Sequence, residues 1–554
     1  MVRKLKTKIS IRSILLLIPL IFLAITASIF YFNRVQSYPF YERVQFKSAG
    51  STLYANLYYP SKDLEFQDQN PLVIFAHGSE WQKDVDIRVA LELTKRGFFV
   101  AGIDYHQHGE SGGELFDVDS DTGVLGIAQD CSKLLDAIEL LDVYPRINSS
   151  QIGLVGHSLG GMVVLMNGAL DVRFTATISW AGVVNASFIG WDLDAYNPVN
   201  LINNTDPENL LLIHAYDDGT VSYEDHALLA QSLTGCTIIN ITDSFFSDHY
   251  LISDTVLIET IKWYELVFFG SESINGPINL NWVSFLIMIL FMLIAMCLTV
   301  LSIIIYSSRY LLKGKREPLT ETLEDKSKNK MIALKFVISL ILYVALWVLV
   351  IESFGLSAIY LAPFIIIGAY ILYKLVIALK VRKVEITKES IKDEIKSQFD
   401  RGTVVYSVFA GCVFMGFYYL IAFTIPWTLL YPPDFPSFIG AFLIFPMYLS
   451  SEIIYRKVLL PLTKFIKSQK KRTLFLSIMI LFIHMYFVFI SFWYYGSPEI
   501  MAAFFAYLMA SVMNSILYHK TKKFISVIIN SVIINGLFFG STVPILIGLL
   551  EFLK

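Results

Sequence analysis

Cysteine is scarce in this chain of 554 residues, which contains only four. Cys131 and Cys236 lie in a mixed polar and apolar region, whereas Cys297 and Cys412 lie inside long apolar runs. No C-x-x-C spacing occurs, and histidines and cysteines do not cluster along the chain. The sequence therefore argues against a disulfide framework and a zinc site, and we expect no metal and no cofactor.

Basic residues are also scarce, but only in one region. Residues 33–280 carry 12 lysines and arginines against 33 aspartates and glutamates, a net charge of −21. The rest of the chain has a net charge of +18, so that the whole is close to neutral at −3. An acidic region of this kind is not expected to bind nucleic acid, because phosphates favour basic partners.

Long apolar runs, in contrast, are abundant, and 55% of the residues are hydrophobic. Residues 1–12 are basic, and residues 13–32 are long and apolar enough to cross a bilayer. Their long apolar core and poor cleavage site predict an uncleaved signal anchor and not a cleaved signal peptide. The apolar runs in residues 281–554 predict a membrane domain of about eight transmembrane helices. Their approximate bounds are 282–306, 331–351, 354–379, 403–426, 438–456, 473–494, 499–518 and 525–550.

The loops between these spans indicate an orientation. Loops 307–330 and 380–402 carry seven basic residues each, loop 461–472 carries five, and the alternate loops carry none. The positive-inside rule then places residues 1–12 in the cytoplasm and residues 33–280 outside it. Four N-x-S/T sequons lie in that outside region, at Asn148, Asn185, Asn203 and Asn240. We expect a multi-pass integral protein, most simply of the cell membrane, that contacts membrane lipids.

Between residues 33 and 280, short apolar runs alternate with helical stretches. The candidate strands are 43–48, 52–59, 71–76, 98–103, 151–155, 174–180, 210–215 and 236–241. The candidate helices are 84–96, 122–142, 158–170, 224–233 and 250–268. This order predicts a mostly parallel sheet with helices on both faces. Reactive groups gather beyond the carboxyl ends of the strands in such sheets.

One strand end carries a G-x-S-x-G pattern, from Gly156 to Gly160, with Ser158 at its centre. A serine on a sharp strand-to-helix turn exposes its hydroxyl, and the flanking glycines remove Cβ atoms that would clash there. The pattern indicates a nucleophile, and a serine that merely caps the helix is the simpler alternative. The backbone N–H groups of Ser79, in the turn after strand 71–76, and of Leu159 are the predicted oxyanion hole.

Acidic and basic partners follow two later strands. Asp217 and Asp218 come after strand 210–215, and His249 comes after strand 236–241. His226 is the alternative base, but we expect it on a solvated face of helix 224–233. His157, beside the serine, is interpreted as a packing residue, because neighbouring side chains at such a turn point to opposite sides.

Over about residues 40–270 the chain resembles the α/β-hydrolase superfamily. The resemblance rests on the His77-Gly78 turn, the loop from Asp104 to Ser111, the GHSLGG segment, the acid loop after His214 and the late histidine. It implies an α/β-hydrolase fold with eight strands, joined here to an all-α transmembrane bundle.

The resemblance also implies a catalytic triad of Ser158, Asp218 and His249, with Asp217 as the alternative acid. Two departures from the family pattern concern loop shape. Ala215 and Gln107 stand where these hydrolases commonly have glycine.

The primary hypothesis is a membrane-anchored serine hydrolase that cleaves an ester or amide outside the cytoplasm. An esterase is the first expectation and a serine aminopeptidase-like enzyme the second. Segment 182–209 is too short for a large cap domain, so the site should take small-molecule, peptide or lipid acyl substrates. The alternative is a transporter or sensor whose outer domain only binds a ligand.

Two further features have simple interpretations. The alternating acids Asp117, Asp119 and Asp121 are typical of a solvated loop, because the glycine and glutamate of a calcium loop are misplaced. If the loop borders the site, it favours cationic substrates. Glu452 and Arg456, four residues apart near the end of a predicted span, predict a structural ion pair.

Overall fold

The computed structural model describes most of the chain. The described residues are 17–29, 40–60, 69–244 except 80 and 85, 248–272, 277–312, 330–342, 345, 358–376, 387–424, 445–482 except 447, 467, 469 and 470, and 498–539. The chain divides into two units, Ile25–Met292 and Met1–Ala24 together with Leu293–Lys554.

The unit Ile25–Met292 is built on one eight-stranded sheet. Its strands are β1 (Tyr41–Ser48), β2 (Ser51–Tyr58), β3 (Asn70–Ala76), β4 (Phe99–Asp104), β5 (Ile147–His157), β6 (Ala176–Trp180), β7 (Leu210–His214) and β8 (Thr237–Asn240). Their order is β1-β2-β4-β3-β5-β6-β7-β8. β2 pairs antiparallel with β1 and β4, and the other neighbours are parallel. The expected mostly parallel sheet is confirmed.

Both faces of the sheet are covered. The central strands β3, β4, β6 and β7 are buried along their whole length, as parallel strands between two layers of helices must be. Along β3, Leu72 and Ile74 belong to one apolar core, and Val73 and Phe75 belong to the other. This alternation shows that each face of the sheet packs on its own core.

Six helices accompany the sheet in the described residues. They are α1 (Ile87–Thr94), α2 (Asp130–Glu139), α3 (Leu159–Leu170), α4 (Pro198–Leu201), α5 (Leu229–Thr234) and α6 (Asp254–Phe269). Residues of α2 and α3 join the first core, and residues of α1 and α6 join the second. Between β6 and β7, the described residues form only α4 and two shorter helical turns, Ala186–Ile189 and Asp194–Tyr196.

Two predicted helices differ from the structure, one in length and the other in helix type. The predicted helix 122–142 is only α2, preceded by a turn at Gly126–Ala128, because Val118 pairs with Leu125 across a hairpin. The predicted helix 224–233 begins as a π-helical segment, Tyr223–Leu228, before α5. A locally wide helix of this kind is not encoded in apolar periodicity.

The second unit is helical where it is described. Its named helices include α7 (Trp282–Leu311, which begins in the first unit), α8 (Ala358–Val376), α9 (Lys388–Gln398), α10 (Arg401–Thr424), α11 (Pro498–Thr521) and α12 (Ile525–Phe539). In the described residues, two helices are long and apolar enough to cross a membrane, Trp282–Leu311 and Arg401–Leu420. Shorter apolar helices include Leu17–Ile29 and Ile525–Phe538.

The other predicted spans are described only in part, and residues 1–12 lie outside the described residues. The eight-helix membrane domain and its orientation therefore stay predictions.

The ion pair expected between Glu452 and Arg456 is present in this unit. Arg456 Nε lies 3.1 Å from Glu452 Oε2, and both side chains are about 2% exposed or less. Ser511 of α11 donates its hydroxyl to Glu452 at 2.6 Å, and its carbonyl accepts from Arg456 Nη2 at 2.6 Å. The pair thus joins the helical segment around residue 454 to α11.

Candidate active site

Ser158 sits at the strained turn between β5 and α3. Its backbone φ is 55° and its ψ is −116°, a conformation that costs free energy unless the surroundings impose it. The flanking glycines make the turn possible. A Cβ on Gly156 would collide with the backbone of Gly160, and a Cβ on Gly160 would collide with the carbonyls of Ala76 and His77.

Three side chains from three loops form one hydrogen-bonded chain. His249 Nε2 lies 3.0 Å from Ser158 Oγ, and His249 Nδ1 lies 2.8 Å from Asp218 Oδ2. All three residues are 7–8% exposed. The structure therefore brings together the three residues that the sequence analysis selected, whereas Asp217 is exposed.

Asp218 is held in an ionised, fixed position. Its Oδ1 accepts hydrogen bonds from the amides of Thr220 (2.8 Å) and Val221 (3.0 Å). Burial alone would raise the pKa of this carboxyl, but contacts with His214 and His249 outweigh burial and lower it well below the usual range. His214 Nε2 lies 3.5 Å from Asp218 Oδ2 and bonds the carbonyl of Val221. The negative charge favours the tautomer of His249 that carries its proton on Nδ1.

The predicted oxyanion hole lies beside the serine. β3 and β5 are parallel, with Ala76 opposite Gly156, so Ser79 and Leu159 each come three residues beyond the same level of the sheet. Leu159 is the first residue of α3. A Cβ on Gly78 would lie 3.6 Å from Ser158 Cβ, which places the turn that contains Ser79 directly against the serine.

His157, the residue before the serine, packs against the loop that carries His249. Its Nε2 donates to the carbonyl of His249 at 2.8 Å, and its ring stacks on Trp81 with centroids 5.3 Å apart. Burial, and then the nearby charge of His249, lower the pKa of His157 to about 3. The ring is thus a neutral donor that supports the backbone of the His249 loop.

His226 is the site residue for which the sequence prediction was wrong. It is 3% exposed and not on a solvated face, and its Nδ1 accepts from the backbone amides of Val184 (3.0 Å) and Asn185 (3.3 Å). These amides come from the loop after β6, distant in sequence, so periodicity within residues 224–233 could not reveal them.

Sequence reasoning also missed a buried charge cluster around Lys83, four residues after Ser79 in the chain. The ammonium group of Lys83 contacts the carboxylates of Asp104 and Glu110, and the Lys83 amide donates to Asp104 at 2.6 Å. Burial alone lowers the pKa of Lys83, but these acids outweigh burial and raise it above its usual range. The only sequence signal was a lysine next to an apolar helix start.

The acidic loop is solvent-exposed over most of its length. Asp119 Oδ1 accepts from the amides of Asp121 (2.9 Å) and Thr122 (3.3 Å) and so closes its own turn. Within the described part of the chain, no three or more histidines, cysteines or acids are grouped to hold a metal ion.

Residues 67–201 match the family model described as serine aminopeptidase, S33. They include the His77-Gly78 turn, the G-x-S-x-G segment around Ser158 and the parallel strands β3 to β6. The unit Ile25–Met292, called the hydrolase domain from here on, has the α/β-hydrolase fold. The order serine, acid, histidine along this hydrolase domain is also that of the superfamily.

Individual relatives match part of the chain. The chain is 32% identical over 126 residues to a 2,6-dihydropseudooxynicotine hydrolase of Paenarthrobacter nicotinovorans, a match that covers 23% of this chain and 31% of the relative. The chain thus spans about a third of the length of this curated relative.

Two solved structures are similar at low identity. Est1E of Butyrivibrio proteoclasticus, bound to ferulic acid, is 20% identical with a TM-score of 0.32, covering 40% of this chain and 97% of that one. A puromycin-hydrolyzing peptidase of Mycobacterium tuberculosis is 16% identical with a TM-score of 0.34, covering 42% and 40%.

Proposed function

We propose that this protein is a serine hydrolase that cleaves an ester or amide bond through an acyl-enzyme formed on Ser158. The observation that carries the proposal is the continuous hydrogen-bonded chain from Ser158 through His249 to Asp218. A serine that merely caps a helix does not need a buried histidine and an ionised acid aligned behind it.

In this mechanism, Ser158 Oγ bonds to the acyl carbon while His249 Nε2 takes the hydroxyl proton. The amides of Ser79 and Leu159 hydrogen-bond the oxyanion of the tetrahedral intermediate. The intermediate collapses as the bond to the leaving group breaks, and His249 returns the proton to that group. Water then attacks the acyl-enzyme by the same proton path and releases the carboxylic acid.

A carboxylic ester is the first substrate class. Only short helical turns are described in segment 182–209, which supports small-molecule, peptide or lipid acyl groups as substrates. A serine aminopeptidase-like activity is the second candidate. The matching family description supports it, as does the acidic loop, because a cationic substrate amine is attracted by nearby carboxylates.

The placement of the enzyme is part of the proposal. Apolar helices such as Trp282–Leu311 and the alternation of basic loops support a membrane-anchored protein with the hydrolase domain outside the cytoplasm. Protease digestion of intact cells tests this placement, because only an outside domain is cleaved while the membrane is sealed. A transporter or sensor with a purely ligand-binding outer domain is the alternative function.

The deciding experiment is labelling of the purified full-length protein with a fluorophosphonate probe. Wild type should react, and Ser158→Ala and His249→Ala should not. Rates on a panel of p-nitrophenyl esters and aminoacyl anilides then separate the two substrate classes. A folded wild type that does not react overturns the enzyme proposal and leaves the ligand-binding alternative.

A further inference from the structure

Two side chains donate hydrogen bonds to backbone carbonyls of the loop that carries His249. His157 donates to the carbonyl of His249 at 2.8 Å, and Arg88 Nη1 donates to the carbonyl of Leu251 at 3.4 Å. Leu251 is fully buried with a left-handed φ of 50°. A leucine keeps such a conformation only where its surroundings fix it, so Arg88 helps to set the loop's shape.

Arg88 is itself a fixed, buried cation. It is 6% exposed and forms a two-pronged pair with Asp86, at 2.7 Å from Nε to Oδ1 and 2.6 Å from Nη2 to Oδ2. Its guanidinium lies 6.0 Å from the ring centroid of Trp180 and 5.7 Å from that of Trp282. Planar cations of this kind are attracted to aromatic faces, so the two tryptophans hold Arg88 between the sheet and the end of the domain.

Trp282 is the first residue of α7, the 30-residue apolar helix. Its Nε1 donates to Asp254 Oδ1 at 2.7 Å, and Asp254 begins α6, the helix that follows the His249 loop. One residue before Trp282, the backbone amide of Asn281 donates to the side chain of Glu92 of α1 at 2.9 Å. The start of α7 thus contacts both sides of the histidine loop, through Arg88 on one side and Asp254 on the other.

We propose that Trp282 is a positioning residue for His249, so that a shift at the start of the long apolar helix changes the rate of proton transfer at Ser158. This inference rests on the proposed hydrolase function. The distance between His249 and Ser158 tolerates little change, because displacements of about 1 Å in a catalytic group cost up to roughly a hundredfold in rate. A 30-residue helix is about 45 Å long, so a small tilt of α7 displaces its terminal side chain.

The test compares tryptophan variants of the full-length protein in detergent, with the fluorophosphonate probe. Trp282→Ala should lower the maximal labelling rate by roughly tenfold to a hundredfold, with probe affinity within about twofold. Trp282→Phe should recover part of the rate, because the ring still covers Arg88 although the bond to Asp254 is lost.

Trp263→Ala is the matched control. Trp263 lies on α6, packs at the edge of the same core and also makes one Nε1 hydrogen bond, to the carbonyl of Asn209 at 3.0 Å. Its replacement should reduce thermal stability while leaving the labelling rate, measured well below each unfolding midpoint, close to wild type.

Each outcome distinguishes the two proposals. A wild type that labels, with Trp282→Ala equal to it or Trp263→Ala equally slow, overturns the positioning role alone. A wild type that does not label overturns the proposed function and this inference with it. If Trp282→Ala does not fold, Trp282→Phe and Arg88→Lys decide, since both should slow labelling without changing probe affinity.

Discussion

His157 should make the hydrolase domain less stable in mild acid. Its ring is 2% exposed and is wedged between Trp81 and the His249 loop. Burial, and then the charge of His249, lower the pKa of His157 from 6.5 to about 3. At pH 5 the ring is therefore neutral in the folded protein but protonated in the unfolded chain.

The magnitude follows from proton linkage. As the pH falls below 6.5 the unfolded chain binds a proton on His157, whereas the folded protein binds one only near pH 3. The stability that depends on this ring is complete above pH 6.5 and falls through the window from 6.5 to 3. At pH 5, which is about 1.5 units below the ordinary pKa of histidine, the unfolding free energy has decreased by about 2 kcal/mol.

His157→Gln isolates this contribution, because glutamine keeps an amide donor toward the His249 carbonyl and does not titrate. We expect the loss of unfolding free energy between pH 7.5 and pH 5.0 to be about 2 kcal/mol smaller in the variant than in wild type. Hydrogen exchange of β5 amides in the full-length protein measures this quantity for the hydrolase domain separately from the rest of the chain.

His106→Gln is the matched control of opposite sign. Burial lowers the pKa of His106, but hydrogen bonds and the charge of Asp130 outweigh burial and raise it. A raised pKa contributes stability that is present in acid and lost as the pH rises, so this variant should lose more stability on acidification than wild type. The reasoning is refuted if His157→Gln has the pH dependence of wild type, or if both variants change it in the same direction.

Three further predictions concern the acid, the turn beside the serine and the second unit. Asp218→Asn should slow fluorophosphonate labelling by roughly 10³–10⁴-fold, whereas Asp217→Asn should label as wild type; the reverse order would make Asp217 the acid. Gly78→Ala places a Cβ 2.9 Å from a buried imidazole nitrogen and should slow labelling about tenfold, while Gly219→Ala, with open space around its Cβ, should not; equal rates would contradict the crowding. Glu452→Gln leaves a buried arginine unpaired and should cost about 3–5 kcal/mol, and an unchanged thermal midpoint in detergent would refute this.

The sheet was predictable because its cause is local. Central parallel strands must be apolar along their length, and the runs at β3, β4, β6 and β7 predicted their positions to within about two residues. β5 differs more, since it begins at Ile147 and not at 151. Ile147 is buried and pairs with Asn70 of β3 across a register shift, a contact that no single segment of sequence contains.

The residues that support the His249 loop could not be predicted, because they too contact one another across long distances in sequence. Arg88 and Trp282 are 194 positions apart, and neither belongs to a motif. An arginine on an apolar helix, such as Arg88, is ordinarily expected to face solvent. Its partners in the structure come instead from β6, the His249 loop and the start of α7. The role of Arg88 depends on partners that are distant in sequence. The role of Ser158, in contrast, is indicated by the short pattern around it.

Gln107 occupies a backbone conformation that usually favours glycine. Its φ of 65° lies in the left-handed region that favours glycine, and a side chain there costs on the order of 1–3 kcal/mol. Its Oε1 accepts from the amide of Leu115 at 2.8 Å, a bond that glycine cannot make and that joins the turn to the acidic loop. This hydrogen bond offsets part of the cost, so the side chain that strains the turn also fixes the turn to the acidic loop.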